Sequence, residues 1–268
     1  MSAELPHYEV IALKYATRGG ARPDHFVGGD PHDRPMPMDY YLWVVRNEDR
    51  LVLVDTGFNQ DMAAKRNRTL LRRPAEALAL VGVATQEVRD IVVTHMHNDH
   101  VGTFEEYPNA RFHLQDEEME FATGRFMCCD RFARPYEVEH VAGFVRLVYQ
   151  DRVAFHRGDA EIAPGISVHR IGGHTAGLQC VRVHTGRGWV VLASDASHYY
   201  EHFEQKRCFP LVYHVGEMVE GFARLRELAD SPAHVVPGHD PLVVERYPAV
   251  SAPLEGIAVR LDRPPRPS

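Results

Sequence analysis

Residues 94–100 read THMHNDH and place three histidines and one aspartate within seven residues. This stretch directly follows residues 90–94 (DIVVT), an apolar run that predicts a short buried strand. Because His95 and His97 are separated by one residue, their imidazoles point the same way from an extended loop, and one metal ion can hold both. The alternative interpretation is a polar turn at the end of a strand, with solvated histidines.

Asp99 and His100 complete the stretch and begin the next predicted helix, near residues 99–107. From there they can face a second metal ion. Neutral imidazoles and carboxylates without a thiolate suit Zn²⁺, with Fe or Mn as alternatives.

Three later segments repeat the same arrangement, with a histidine or aspartate beside a small residue at the end of an apolar run. They are Gly172-Gly173-His174-Thr175, Ser194-Asp195-Ala196-Ser197 and Pro237-Gly238-His239-Asp240. The small residue allows close approach of backbone or ligand. Taken singly, each segment could be an ordinary turn. Together with the first stretch they indicate one metal site at the ends of several strands.

The composition is that of an ordinary globular protein. The chain has 268 residues, 44% apolar and 25% charged, which argues against disorder, collagen and a membrane-spanning protein. Its net charge of −7 gives no reason to expect a nucleic-acid or membrane partner. No signal peptide is visible at the N-terminus and the four cysteines include no CxxC pair, so the expected location is the cytoplasm.

The remaining pattern alternates strands and helices, as in an α/β protein. Strands are predicted at 8–15, 40–46, 51–55, 111–114, 153–156, 166–170, 179–184, 189–194 and 234–237. Helices are predicted at 63–81, with an interruption at Pro74, and at 115–123 and 215–228. Irregular segments are expected at 19–38, 124–150 and 198–213, and the aromatic residues of the second favour a lid or pocket wall. We expect one domain over residues 1–262 and a disordered tail over 263–268.

The sequence resembles those of the metallo-β-lactamase superfamily, and within it the N-acyl-homoserine lactonase-like branch. The matching motifs are Val54-Asp55-Thr56-Gly57, the HxHxDH run at 95–100, Gly173-His174-Thr175, Asp195 and Gly238-His239. They extend over about residues 40 to 245, most of the chain. The resemblance implies an αβ/βα sandwich, in which two packed β-sheets have helices outside and a metal site at one edge.

The resemblance also implies a set of site residues. His95, His97 and His174 would hold one Zn²⁺, Asp99, His100 and His239 would hold a second, and Asp195 would bridge the two. A hydroxide between the metals would then attack a carbonyl carbon, with Asp99 as the proton shuttle. Asp55 would hold a ligating imidazole by its N–H, its alternative role being that of a turn residue.

One position departs from the family pattern. Homoserine lactonases of this family carry a tyrosine three residues after the bridging aspartate, whereas this chain has His198, followed by Tyr199 and Tyr200. An imidazole can donate a hydrogen bond or act as a general acid. Either His198 or, after a small shift, Tyr199 therefore replaces the family tyrosine, unless His198 only lines a loop.

The resulting hypothesis is a dinuclear metallohydrolase that opens an N-acyl-homoserine lactone or another small lactone. The alternatives are hydrolysis of a thioester or cyclic amide, phosphodiester cleavage and di-iron redox chemistry. The oligomeric state is open, with a homodimer as one possibility. Arg125, Arg131 and Arg134 in the predicted lid are either a clamp for a substrate carboxylate or a solvated rim. Cys128 and Cys129 are expected to pack or to line the pocket.

Overall fold

The computed structural model describes residues 5–267 and arranges their strands in two sheets that pack against each other. The strands are β1 Glu9–Arg18, β2 Met38–Arg46, β3 Leu51–Val54, β4 Thr69–Leu70, β5 Asp90–Val92, β6 Arg111–Gln115, β7 Val153–His156, β8 Ala160–Ala163, β9 Ile166–Arg170, β10 Gln179–Thr185, β11 Gly188–Ser194, β12 Val235–Pro237 and β13 Ala258–Arg260. The α-helices are α1 Gln60–Lys65, α2 Pro74–Ala79, α3 Asn98–Val101, α4 Asp116–Ala122, α5 Asp130–Ala133, α6 Val138–Tyr149, α7 Tyr200–Gln205, α8 Val215–Leu228 and α9 Leu242–Arg246.

The first sheet has the order β13-β1-β2-β3-β5-β6-β7, and β4 pairs with β1 at its side. Its strands from β3 to β7 run parallel, whereas the pairs formed by β1 are antiparallel. The second sheet has the order β12-β11-β10-β9-β8, with one parallel pair between β11 and β12. This is the αβ/βα sandwich that the family resemblance implies.

Strand β2 shows why the sequence forms layers. Its residues are apolar on both faces, because alternate side chains point to opposite sides of the sheet and both sides are covered. Tyr41 and Trp43 enter the core between the two sheets. Tyr40 and Leu42 enter the second core, which the helices cover with side chains such as Phe144 of α6. One strand therefore contributes to both apolar layers.

Helix α8 covers the outer face of the second sheet, where Met218, Phe222 and Leu225 are buried. Its bounds agree with the predicted helix. A Cβ atom at Gly173, where φ is +82°, would lie 2.6 Å from the backbone nitrogen of Met218. Only glycine allows the loop after β9 to approach this helix so closely, and this approach positions the neighbouring His174.

Three predictions of local structure are wrong. The helix expected over 63–81 is two short helices, α1 and α2, separated by β4. Asn67 has φ of +51° and Pro74 occupies the first turn of α2, so the segment leaves the helical conformation between them and pairs with β1 instead. Strands β8 and β13 and helix α9 were not predicted from the sequence.

The second wrong prediction is the irregular segment 124–150, which contains α5 and the twelve-residue helix α6. Gly143 lowers the helix propensity in the middle of α6. A Cβ atom there would lie 2.3 Å from Phe104 Cζ, so the glycine is needed for packing, and tertiary contact outweighs propensity. The segment 198–213 likewise contains α7, which was not expected.

At the C-terminus, Arg266 contacts Glu255 and the carbonyl oxygen of Arg246 within the tail predicted to be disordered. The last residue, Ser268, and residues 1–4 lie outside the described residues. Among residues 5–267, no helix combines the length and the apolarity that crossing a membrane requires.

Candidate metal centre

The predicted ligand residues come together where strands of both sheets end. The loop after β5 carries His95 and His97, and the loop after β9 carries His174. Asp195 follows β11, and His239 follows β12. Because these strand ends meet at one edge of the sandwich, residues far apart in the sequence become neighbours.

The first group of donor atoms contains three imidazoles and one carboxylate. His97 Nδ1 lies 3.0 Å from His95 Nε2 and 3.0 Å from His174 Nε2. Asp195 Oδ2 lies 3.2 Å from His174 Nε2. All four ligand atoms lie within 4.8 Å of one another, and all four residues are buried. Such a set is suited to one metal ion.

The second group contains Asp99, His100 and His239, again with ligand atoms within 4.8 Å of one another. Asp195 reaches this group with its other oxygen, since Oδ1 lies 3.0 Å from His239 Nε2 and 3.5 Å from His100 Nε2. The two carboxylate oxygens of Asp195 therefore face different histidine groups. The sequence-predicted set of seven residues is brought together completely.

Unpaired polar atoms support the fit of this cluster to metal ions. His100 Nε2 and Asp195 Oδ1 are buried, and neither makes a hydrogen bond within residues 5–267. A buried polar atom without a partner is costly. In both cases the atom points into the cluster, where a cation would complete its coordination.

Hydrogen bonds outside the cluster fix the orientation of the imidazoles. His174 Nδ1 donates to the carbonyl oxygen of Leu211 at 2.7 Å, and His239 Nδ1 donates to that of Asp39 at 2.9 Å. With these protons on Nδ1, Nε2 is left free to act as a ligand.

Asp55 performs the same task for His100, as predicted. His100 Nδ1 donates to Asp55 Oδ2 at 2.7 Å, and the backbone N–H of Thr94 donates to Oδ1 at 2.8 Å. Asp55 has φ of +61°, a left-handed conformation that is uncommon for a non-glycine residue and occurs often at functional sites.

The carboxylates make the cluster attractive to positive charge. Burial lowers the pKa of His100, but Asp55, Asp195 and Asp99 outweigh it and raise that pKa to about 10. Burial also lowers the pKa of His95 and His97 well below the usual value, helped by the neighbouring imidazoles. These two histidines are therefore neutral, which is the form that binds metal.

Glu118 of α4 connects two of the ligand loops and was not singled out from the sequence. It is fully buried. Its Oε1 accepts from the backbone N–H of Met96 at 2.9 Å and the hydroxyl of Tyr136 at 2.8 Å. Its Oε2 accepts from the hydroxyl of Thr175 at 2.6 Å and the backbone N–H of Gly177 at 3.2 Å. Because Met96 lies between His95 and His97, and Thr175 follows His174, this carboxylate holds both loops in register.

A cavity of about 540 Å³ opens onto the cluster. Its walls include residues of the loop between β1 and β2, of α5 and of the loop after α7. Arg131 and Arg134 line it, so part of the predicted lid is a pocket wall, whereas Arg125 is not among the lining residues. Cys128 and Cys129 are exposed and do not line this cavity either, contrary to expectation.

Of the three residues considered at the departure from the family pattern, only His198 lines the cavity. Its Nε2 lies 3.0 Å from Asp195 Oδ2, and its ring stacks on Phe209 with centroids 3.7 Å apart. Burial lowers the pKa of His198 well below its usual value, despite the opposing effect of Asp195. The hydroxyl of Tyr199 instead donates to the carbonyl oxygen of Pro37 at 3.1 Å, and the buried hydroxyl of Tyr200 makes no hydrogen bond within residues 5–267.

Two further residues at the cavity wall were missed. Tyr40 of β2 lines the cavity, and burial raises the pKa of its phenol to about 12. The guanidinium of Arg68 lies over the Tyr40 ring, 4.7 Å from its centroid, and 3.5 Å from Asp99 Oδ2. Burial raises the pKa of Asp99, but Arg68, His100 and His239 outweigh it and hold that pKa below its usual range. No sequence motif marks Tyr40 or Arg68.

The sequence model of a protein family, the metallo-beta-lactamase superfamily, matches residues 37–239 of this chain. A probable metallo-hydrolase of Mycobacterium tuberculosis is 28% identical over 225 residues, which cover 74% of this chain and 69% of that protein. The N-acyl homoserine lactonase AiiB of Agrobacterium fabrum is 28% identical over 179 residues, or 60% of this chain and 63% of the lactonase.

Among solved structures, a quorum-quenching N-acyl homoserine lactone lactonase superimposes with a TM-score of 0.74 at 21% identity, covering 88% of this chain and 94% of that one. The dizinc quorum-quenching lactonase AidC, in complex with its product, superimposes with a TM-score of 0.67 at 16% identity, covering 89% of each chain. At these identities the likeness establishes a common fold.

Proposed function

Because this chain belongs to the metallo-β-lactamase superfamily, we propose that it is a metal-dependent hydrolase that opens a lactone ring. The observation that carries this proposal is Asp195, whose two oxygens face two separate histidine groups at the base of a cavity. Relatives named as N-acyl homoserine lactonases support the lactone as substrate. The substrate is then an N-acyl-homoserine lactone or another small lactone.

His95, His97 and His174 would hold one metal ion, Asp99, His100 and His239 the other, and Asp195 both. Zn²⁺ fits these nitrogen and oxygen donors, with Fe or Mn as alternatives. When bound, such ions supply Lewis acidity, which polarises a carbonyl group and makes water a stronger nucleophile.

The chain's own residues orient the substrate and move protons. Asp99 is proposed to take the proton of the attacking water, because Arg68 keeps its carboxylate ionised and it lines the cavity. His198 is proposed to donate a hydrogen bond to the oxygen that leaves when the ring opens, since its neutral imidazole lies at the cavity wall beside Asp195. Phe209 holds the His198 ring by stacking.

Protein loaded with Zn²⁺, Fe or Mn would be tested on N-hexanoyl-homoserine lactone, a thioester and bis-(p-nitrophenyl) phosphate. We expect lactone hydrolysis that is lost with a chelator and restored by metal. Asp195→Asn should abolish it by removing a ligand shared by both groups. Asp151→Asn is the matched control, because the Asp151 side chain is 94% exposed.

Faster turnover of the thioester or the phosphodiester than of every lactone tested would contradict the assignment. Equal activity in Asp195→Asn and Asp151→Asn would contradict the site itself.

A further inference from the structure

The cavity above the candidate metal centre has more cationic than free anionic side chains. Its lining contains five arginines, namely Arg18, Arg66, Arg68, Arg131 and Arg134, and four aspartates, namely Asp24, Asp99, Asp130 and Asp195. Two of these aspartates belong to the candidate ligand set, and the other two are exposed. Metal ions would add further positive charge, so the cavity favours an anion.

Within residues 5–267, acidic groups contact only two of the five arginines. Arg66 pairs with Glu137, and Arg68 contacts Asp99 and the side chain of Asn98. In the part of the chain that the structure describes, Arg18, Arg131 and Arg134 have no carboxylate within 4.0 Å. Arg131 donates to the carbonyl oxygen of Pro210 at 2.9 Å.

Arg18 is the most informative of these three, because it is half-buried whereas Arg131 and Arg134 are exposed. It ends β1 and is paired with Met38 across the sheet. Its Nη2 and Nε atoms lie 2.8 and 3.1 Å from Met38 Sδ. A thioether is a weak acceptor. Among the described residues, the half-buried guanidinium therefore has no strong acceptor, at a cost that a carboxylate would offset.

We infer that the substrate is a lactone that carries a carboxylate group outside the ring, and that Arg18 binds this carboxylate. The inference rests on the proposed function. Arg18 lines the cavity together with Tyr40 and His239, so an anion bound there is next to the candidate metal centre. The planar guanidinium offers two parallel N–H groups to a carboxylate, in place of the thioether.

Arg131 and Arg134 act at an earlier stage. As exposed cations that line the cavity, they attract an anionic substrate into it, an effect that salt weakens. Ring opening adds one water molecule across the acyl C–O bond and gives a hydroxyl group and a carboxylic acid, which releases a proton at neutral pH. The product of such a substrate is a dicarboxylate, and proton release measures its formation.

The test uses two lactones that differ only in the terminal group of the acyl chain, which is a carboxylate in N-succinyl-homoserine lactone and a neutral carboxamide in N-succinamoyl-homoserine lactone. The metal-loaded wild-type protein should favour the acid, mainly through a lower KM, and added salt should reduce the preference. In Arg18→Gln the ratio of kcat/KM for acid to amide should fall about 10- to 100-fold, as expected for a lost charged hydrogen bond. Arg18→Lys should keep part of the ratio, since it keeps the charge.

Arg146→Gln is the matched control, because Arg146 is exposed and outside the cavity lining. Its ratio should equal that of the wild type. A ratio of kcat/KM compares two substrates on the same protein, so a smaller folded fraction of a variant does not alter it.

Equal hydrolysis of acid and amide by the wild type would overturn this inference and leave lactone hydrolysis standing. A wild-type preference that Arg18→Gln retains would overturn the role of Arg18. Hydrolysis of neither lactone by metal-loaded protein would contradict the proposed function together with this inference.

Discussion

Replacing Glu118 by glutamine should weaken both the fold and the metal centre, although Glu118 touches neither metal group directly. Its carboxylate accepts four hydrogen bonds, two on each oxygen. Three come from Met96, Thr175 and Gly177 in the loops that carry His95, His97 and His174, and the fourth comes from the hydroxyl of Tyr136, between α5 and α6. Glutamine keeps the shape of the side chain but replaces one acceptor oxygen by an NH₂ group that only donates. The change therefore tests hydrogen bonding rather than volume.

The magnitude follows from the four donors. If the new NH₂ group takes the place of Oε2, the hydroxyl of Thr175 can rotate and accept, but the N–H of Gly177 is left without an acceptor. If it takes the place of Oε1, the hydroxyl of Tyr136 can rotate, and the N–H of Met96 is left. In either orientation one buried backbone N–H loses its partner, at a cost of about 1–3 kcal/mol.

Loss of a hydrogen bond between Glu118 and a ligand loop should also reduce metal affinity or turnover by about 10- to 100-fold, as is common for groups that hold ligating side chains. A Cβ atom at Gly177 would lie 2.1 Å from the Glu118 backbone nitrogen, so the loop and α4 are in direct contact and have no room to adjust. The effect should therefore reach His174.

The assay combines urea denaturation of the metal-depleted protein with competition for Zn²⁺ against a chelator of known affinity. Glu120→Gln is the matched control, since it makes the same change on an exposed face of α4. Glu118→Gln should differ from this control in both measurements. A free energy of unfolding within about 0.5 kcal/mol of that of the control, with unchanged Zn²⁺ affinity, would refute this role of Glu118.

Two other outcomes follow from the same geometry. If the imidazole donates to the leaving oxygen, His198→Ala should keep both metal ions yet lose about 10²–10³ in kcat, whereas Tyr199→Phe should stay close to wild type. Steady-state kinetics, with the metal content measured in each variant, would distinguish the two residues. Loss of a metal ion in His198→Ala would instead make His198 a ligand. Burial lowers the pKa of His202 to about 3, against 6.5 for a free histidine. Below pH 6.5 the unfolded chain therefore binds a proton that the folded chain does not. The free energy of unfolding should then fall by up to about 1.4 kcal/mol per pH unit between pH 6.5 and pH 3. His202→Gln should remove this share of the slope in urea denaturation followed from pH 7 to pH 4, and an unchanged slope would contradict it.

The seven candidate ligands could be singled out from the sequence because five lie in loops after apolar strands, and Asp99 and His100 begin the helix that follows the first of these loops. Strand ends of a packed sheet meet at one edge, and the division of the ligands between two metal ions came from the family resemblance. His95 to His100 form a local pattern, and His174, Asp195 and His239 each follow a strand whose bounds were predicted closely. Asp55 was found through the Val54-Asp55-Thr56-Gly57 motif of the family resemblance, and it directly follows β3. Local signals therefore sufficed where the site is built from strand ends.

Residues that reach the site from elsewhere carried no such signal. Glu118 is one of several acidic residues at the start of α4, and only its burial against the ligand loops distinguishes it. Arg18 and Tyr40 lie on strands whose pattern records burial but not what the side chain faces. Helix α6 was not predicted because Gly143 lowers the helix propensity of its middle. The residue that requires this glycine, Phe104, lies 39 positions earlier in the chain. Such long-range contacts become visible only in three dimensions.

The central claim is that Asp195 joins two metal groups, and counting metal ions tests it most directly. Protein purified without chelator and supplemented with Zn²⁺ would be analysed by inductively coupled plasma mass spectrometry beside Asp195→Ala and the exposed control Asp151→Asn. We predict two ions per chain in the wild type and the control, and fewer in Asp195→Ala. A wild-type content that stays near one ion per chain after supplementation, or an Asp195→Ala variant that retains two, would contradict the account.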